Sequence, residues 1–178
     1  MTPRGRKCQV VDTNVLVVAN QRSTASRACA SSCATALVNI KKFGAIVIDD
    51  GDRILSEYRG YCSVSGQPGI GDSFIRWIHD NRGRQELVEV VGIIPTEGGL
   101  SFVEFPKHEE LAKFDHADKK FVAVANAHRN KPHILQASDS KWWGWKNSLM
   151  SCGITVEFLC PNEIQKTFER KFGARARP

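Results

Sequence analysis

Apolar positions fall into short runs separated by longer amphipathic stretches, and the two alternate along most of the chain. Cys8 to Val11 forms a compact apolar run that stops at Asp12, Thr13 and Asn14, which reads as a buried strand followed by a turn. Ala45 to Ile48, His133 to Ala137 and Thr155 to Leu159 have the same character, each bounded by polar or turn-forming residues. Leu87 to Ile94 fits strand or helix equally by its pattern, and Ser101 to Phe105 is short and extended in character. Between these runs, helices are expected from Ser23 to Lys42, ended by Gly44, and from about Asp52 to Cys62. Further helices are expected from a cap at Asp72 through about Asn81, over Lys107 to Lys113, from Asp115 to Arg129, from Lys141 to Met150, and from Pro161 to near Gly173. Such alternation predicts an α/β domain with a mostly parallel sheet. No internal repeat or interior linker interrupts it. Residues 1–173 are expected to form one domain, with 174–178 as a disordered basic tail.

At 178 residues, 42% apolar and 25% charged, the chain is of ordinary globular composition. It is long enough to bury roughly 70% of its unfolded surface without staples. No apolar run approaches the ~20 residues of a membrane span, and the basic start is not followed by the apolar core of a signal peptide. A cytoplasmic location is therefore expected. The six cysteines, Cys8, Cys29, Cys33, Cys62, Cys152 and Cys160, include no CxxC pair. Cys29 and Cys33 share a helical face, but no histidine or second pair stands at zinc spacing, so all six are expected as reduced core residues. A net charge of +6, concentrated partly at the two ends, favours polyanionic partners such as nucleic acid.

The candidate chemistry is carboxylate chemistry. Ligands in open parallel sheets bind beyond the carboxyl ends of strands, and Asp12 and Asp139 each follow a strand. Either one alone is as well explained as a helix N-cap. Asp118 precedes Phe121, Val122 and Ala125 at helical spacing, so it continues a buried stripe. An acid there requires a positive partner, whether lysine, arginine or a divalent cation. Glu57 points towards the apolar side of its own helix. One inward acid is ordinarily a salt-bridged core residue; four from separate segments are explained together by a divalent metal. Hard ions such as Mg²⁺ and Mn²⁺ take oxygen ligands.

Several residues in this sequence match a known family. Val10-Val11-Asp12-Thr13-Asn14-Val15-Leu16 resembles the opening motif of PIN-domain nucleases, in its small bacterial type. The segment Asp115 to Ala125 resembles that family's third acidic motif, Ser138-Asp139 its fourth, and Glu57 falls where its second acid is expected. The resemblance spans about Cys8 to Cys160. It implies a three-layer α/β/α sandwich and Mg²⁺- or Mn²⁺-dependent hydrolysis of phosphodiester bonds, usually in single-stranded RNA. Carried over by residue, Asp12, Glu57, Asp118 and Asp139 would be metal ligands. Asp115 would either join them or cap its helix. Asn14 would orient Asp12 by hydrogen bonding, and Ser138 would support Asp139. Where many relatives carry a further acid two residues after the fourth motif, this chain has Lys141, placed to contact the scissile phosphate.

Lys119 and Lys120 flank the expected site and are candidates for phosphate binding or for plain solvation. Trp142 and Trp145 share a face and read as core; Trp143 points elsewhere and is the candidate for stacking on a nucleobase. Gly66, Gly69 and Gly71 lack the Lys-Ser or Lys-Thr of a phosphate loop. The five histidines show no ligand spacing. Asp49, Asp50 and Asp52 read as turn and cap residues. The expected function is an endoribonuclease, of toxin or defence type, with an antitoxin protein or a second copy as partner. The alternatives are a non-cutting RNA- or protein-binding module and a nuclease acting on DNA.

Overall fold

The structure is a computed structural model, described here over residues 5–173. The expected tail, 174–178, lies outside the described residues. Five strands form one all-parallel sheet: β1 (Lys7–Val11), β2 (Gly44–Asp49), β3 (Val88–Val91), β4 (His133–Gln136) and β5 (Val156–Phe158), in the spatial order β3-β2-β1-β4-β5. Seven helices surround it: α1 (Thr13–Ala19), α2 (Arg27–Phe43), α3 (Arg53–Tyr61), α4 (Ile70–Asn81), α5 (Lys119–Ala127), α6 (Ser140–Ser151) and α7 (Pro161–Phe172). The chain moves outward from β1 through β2 to β3, then returns past β1 to β4 and β5. Right-handed crossovers running in opposite directions place their helices on opposite faces, giving the three-layer α/β/α sandwich. All six residues of β2 are buried, as a strand covered on both faces requires.

Local chemistry sets the helix boundaries. Buried Cys29, Cys33, Leu37 and Ile40 make one stripe on α2. The Ser26 hydroxyl caps that helix by accepting from the Cys29 N–H, so it begins later than Ser23. Asp72 is not the cap of α4 but sits inside its first turn, where it accepts from the Gly69 N–H at 3.0 Å. The 107–113 segment forms only a 3-10 turn, Glu109–Leu111. The 101–105 segment pairs only through a single bridge between Phe102 and Pro95. Leu87 to Ile94 resolves as strand β3.

The cysteines depart from expectation. Cys29 and Cys160 are joined by a disulfide with their Cα atoms 5.3 Å apart, whereas Cys8, Cys33, Cys62 and Cys152 are free. The cause is topological: the first turn of α2 and the start of α7 meet in space across 131 residues of sequence. No helix among the described residues is long and apolar enough to cross a membrane.

Helices α1 and α4 cross so closely that a Cβ on Gly71 would lie 2.4 Å from the Leu16 carbonyl oxygen. Alanine in a helix normally stabilises relative to glycine. Here backbone blocks it, so Gly71→Ala should destabilise by about 1–3 kcal/mol in urea unfolding. Equal or higher stability would show that the two helices can separate freely.

Candidate active site

β1 and β4 are adjacent, yet the connections leaving them run to opposite sides of the sheet. A crevice opens at such a point beyond the carboxyl ends of the strands. Asp12 and Asp139 stand there. Asp12 Oδ1 accepts from the Asn14 N–H at 2.8 Å and caps α1; Asp139 Oδ1 accepts from the Lys141 N–H at 3.0 Å and caps α6. The capping reading and the site reading thus hold together: each acid spends one oxygen on a helix end. The Asp12 N–H also donates to the Leu135 carbonyl at 3.0 Å, which fixes the two strand ends side by side.

Glu57 and Asp118 approach from the flanks. The buried Tyr58 hydroxyl donates to the Val11 carbonyl at 2.5 Å, locking α3 against the end of β1. Its neighbour Glu57 then accepts from the Thr13 hydroxyl at 2.5 Å and pairs with the Lys120 ammonium. Asp118 lies at the N-cap of α5, one position ahead of the helix proper, so α5 starts later than the expected Asp115. Its Oδ2 accepts from the Trp142 indole N–H at 3.1 Å. Asp115 instead pairs with Lys141 at 3.1 Å and accepts from the Ala117 N–H.

Electrostatics separates these acids into two kinds. Burial pushes the Asp12 carboxyl up to about 8, helped by the charges of Asp118, Glu57 and Asp139 and opposed by the Asn14 N–H. Its residue is 2% exposed, and among the described residues no cation pairs with it. Burial and the charges of Asp139 and Asp115 push Asp118 up to about 6, against the Trp142 indole and Lys120. Asp115 lies below the ordinary range because Lys141 and the Ala117 N–H stabilise its charge. The structure therefore brings Asp12, Asp118, Asp139 and Glu57 into mutual repulsion, with Asp115 at the margin. They are not packed into contact. Among the described residues, the groups of three ligating atoms within 4.8 Å of one another are Cys29, Cys33 and Cys160, and Cys8, Glu89 and His128.

The second of those groups is a closed hydrogen-bond network. His128 Nδ1 accepts from the Asn130 N–H, leaving the proton on Nε2 for Glu89 at 2.8 Å, and the Cys8 thiol donates to the other Glu89 oxygen at 2.7 Å.

The remaining expected residues fall in varied places. It is the Asn14 backbone that holds Asp12. Ser138 directly precedes Asp139 and lines a cleft with Thr24, Arg170 and Lys171. Lys119 and Lys120 are buried, not solvated: the Lys119 ammonium sits 4.9 Å from the centre of the Phe105 ring, and that of Lys120 is held by Glu57 and the Ala117 carbonyl. Lys141 is exposed and engaged by Asp115. Trp142 is fully buried and Trp145 packs near Phe114, as core residues. Trp143 packs edge-on against Phe158, and the Lys146 ammonium lies over its ring. Thr13, Tyr58 and Trp142 were not legible as site residues. For Trp142, the only signal is that a buried indole N–H needs an acceptor.

The acids supply hard oxygen donors, and burial with mutual repulsion opposes ionisation of Asp12 and Asp118 until a cation is bound, which fits Mg²⁺ or Mn²⁺. Comparison of the chain with protein-family models, with curated proteins and with solved structures gave no match.

Proposed function

We propose that this chain is a divalent-metal-dependent endoribonuclease of the PIN type, acting on single-stranded RNA. The observation that carries the reading is Asp12: a buried carboxylate without a cationic partner, facing acids from three other segments at the sheet's crevice. Such an arrangement is costly for the fold and is accounted for when a divalent cation is part of the working state. Asp12, Asp118 and Asp139 would hold Mg²⁺ or Mn²⁺, with Glu57 reached through water. The bound ion supplies an activated water and a polarised phosphate. No side chain acts as a covalent nucleophile.

The protein's own contribution is positioning. Trp142 fixes the rotamer of Asp118, and the Asn14 and Lys141 N–H groups fix Asp12 and Asp139. Lys141 lies on the rim, where a phosphate would compete with Asp115 for it. The adjacent cleft, lined by Lys113, Trp145, Phe168 and Phe172, offers aromatic surface to an unpaired base and charge to its backbone. A cytoplasmic setting, an antitoxin-like protein partner and self-association belong to the same proposal.

One observation favours a second reading, a PIN-like module that binds without cutting. Two of the acids, Glu57 and Asp115, already carry lysine partners.

Matched single-stranded RNA and DNA oligonucleotides, incubated with Mn²⁺, Mg²⁺ or a chelator, separate these readings. The expected result is RNA fragmentation only with metal, reduced at least about 100-fold in Asp139→Asn. Equal loss of the DNA oligomer would reassign the substrate. Intact oligomers with both metals, while the ions still bind, would establish the binding module.

A further inference from the structure

The sulfur atoms of Cys29, Cys33 and Cys160 all lie within 4.8 Å of one another, and the three residues are buried. Cys29 and Cys33 are one turn apart on the inward stripe of α2. Cys160 is the N-cap of α7. The two helices are tied together beside this point, where Glu163 of α7 accepts from both the hydroxyl and the N–H of Ser26, the cap of α2. The three sulfurs therefore belong to a fixed frame and do not meet by chance mobility. A structural Cys29–Cys160 disulfide has no use for a third sulfur beside it; packing alone asks only for a small apolar side chain at Cys33.

We propose that Cys29, Cys33 and Cys160 form a redox-gated site for a soft monovalent cation, Cu⁺, closed when the Cys29–Cys160 bond is present and open when it is reduced. Opening takes two electrons. Two external thiols are oxidised to one disulfide as the Cys29–Cys160 bond becomes two thiols. Binding then displaces thiol protons to solvent as sulfur–metal bonds form. Thiolate donors select Cu⁺, Zn²⁺ and iron–sulfur clusters. Iron–sulfur clusters are ordinarily held by four protein ligands, and structural zinc takes a fourth ligand. The nearest candidate, Glu163, is already committed to Ser26. Three sulfurs around one ion, with bonds of about 2.3 Å, stand about 4 Å apart, which is within the spread observed here. Burial and the Glu163 charge push the Cys33 thiol up to about 12, so binding has to displace that proton, as sulfur–metal bond formation does. This site shares no ligand with the carboxylate crevice, and the inference does not depend on the nuclease reading.

The test is an anaerobic titration of Cu⁺ against a chromogenic Cu⁺ chelator, using full-length protein either reduced and desalted or left oxidised. Thiol counting on denatured samples accompanies it, with four thiols expected in the oxidised protein. The reduced protein should take one Cu⁺ from the chelator, with thiolate-to-copper absorption in the ultraviolet, and the oxidised protein should take none. Cys33→Ser should weaken retention at least tenfold while the oxidised variant keeps its Cys29–Cys160 bond, read as three thiols on denatured samples. Cys62→Ser, at a buried thiol away from the cluster, should retain Cu⁺ like the parent. The proposal is overturned if Cys33→Ser holds Cu⁺ as tightly as the parent, if the oxidised protein binds it equally well, or if six thiols are counted without reduction.

Discussion

Asp12→Asn should make the metal-free protein more stable at neutral pH while abolishing the proposed cleavage. The Asp12 carboxyl titrates at about 8 in the folded chain against an ordinary value of 3.8. Between these values the native state holds a proton that the unfolded chain has released. Stability contributed by this group is thus greatest at acid pH and declines as pH rises from about 4 to about 8. A tenfold difference in proton affinity between folded and unfolded chains is worth ~1.4 kcal/mol, so at pH 7 the buried carboxyl costs roughly 2–4 kcal/mol. Asparagine keeps the Oδ1 contact to the Asn14 N–H and turns an amide towards the neighbouring carboxylates, so most of that cost is recovered. For a domain of this size the gain corresponds to roughly 4–16 °C in thermal midpoint. In Mn²⁺ the order should narrow or reverse. A ligand at about 100 times its dissociation constant adds ~2.7 kcal/mol to the form that binds it, and only the parent retains the full donor set. Scanning calorimetry across pH 5–8, with and without Mn²⁺, reads both effects. A variant less stable than the parent at pH 7–8 without metal would remove the basis for assigning Asp12 a ligand role.

Asp72→Asn should do the reverse. The Asp72 side chain is equally inaccessible, yet it accepts from the Ser63 N–H at 2.7 Å, the Gly69 N–H at 3.0 Å, the Asn20 amide at 3.0 Å and Arg22 at 3.1 Å. Burial alone would raise its carboxyl; the Gly69 and Ser63 N–H groups, Arg22 and Asn20 outweigh it and hold the group below its ordinary value. The stability it contributes is complete above the unfolded value near 4 and is lost as pH falls through the folded one. Asparagine would set an N–H against other N–H groups and leave Arg22 without its counter-charge. Turning these buried donors away from their acceptor costs roughly 1–3 kcal/mol, to which the half-exposed, solvent-screened Arg22 adds little. Urea unfolding at pH 7 should show that loss. The variant should also lack the parent's further destabilisation below pH 4. Unchanged stability would mean that the 63–69 loop does not depend on this carboxylate.

These two aspartates also mark what a sequence can reveal. Asp12 and Asp139 were legible because each follows an apolar run at a strand end. β3 lies in the Leu87 to Ile94 run that fitted strand and helix equally, whereas the other four strands and the main helices were legible from periodicity. Helix α1 was not: Val15, Leu16, Val17 and Val18 form a largely β-branched run with little helical signature, and the helix depends on the Asp12 cap and on burial against α2 and α4. Asp72 reads from sequence as an ordinary helix cap, because its donors come from Asn20, Arg22 and Ser63, far along the chain. Lys120 sits among apolar neighbours, and only the fold shows that Glu57 is waiting for it. The Cys29–Cys160 bond has no spacing signature at all. In each case the missing information is a long-range partner, which no local pattern encodes.

The position of β1 in the middle of the sheet has a consequence for synthesis on the ribosome. One edge of β1 pairs with β2 soon after it emerges, but its other edge must wait for β4, and so for the whole 92–132 connection. A nascent chain halted before Asp139 carries Asp12, Glu57 and Asp118 and still lacks the wall that confronts them. Under the proposed nuclease reading, hydrolytic competence would then arrive only after β4 and Asp139 have been made, and a shorter nascent chain would leave the ribosome's own RNA uncut.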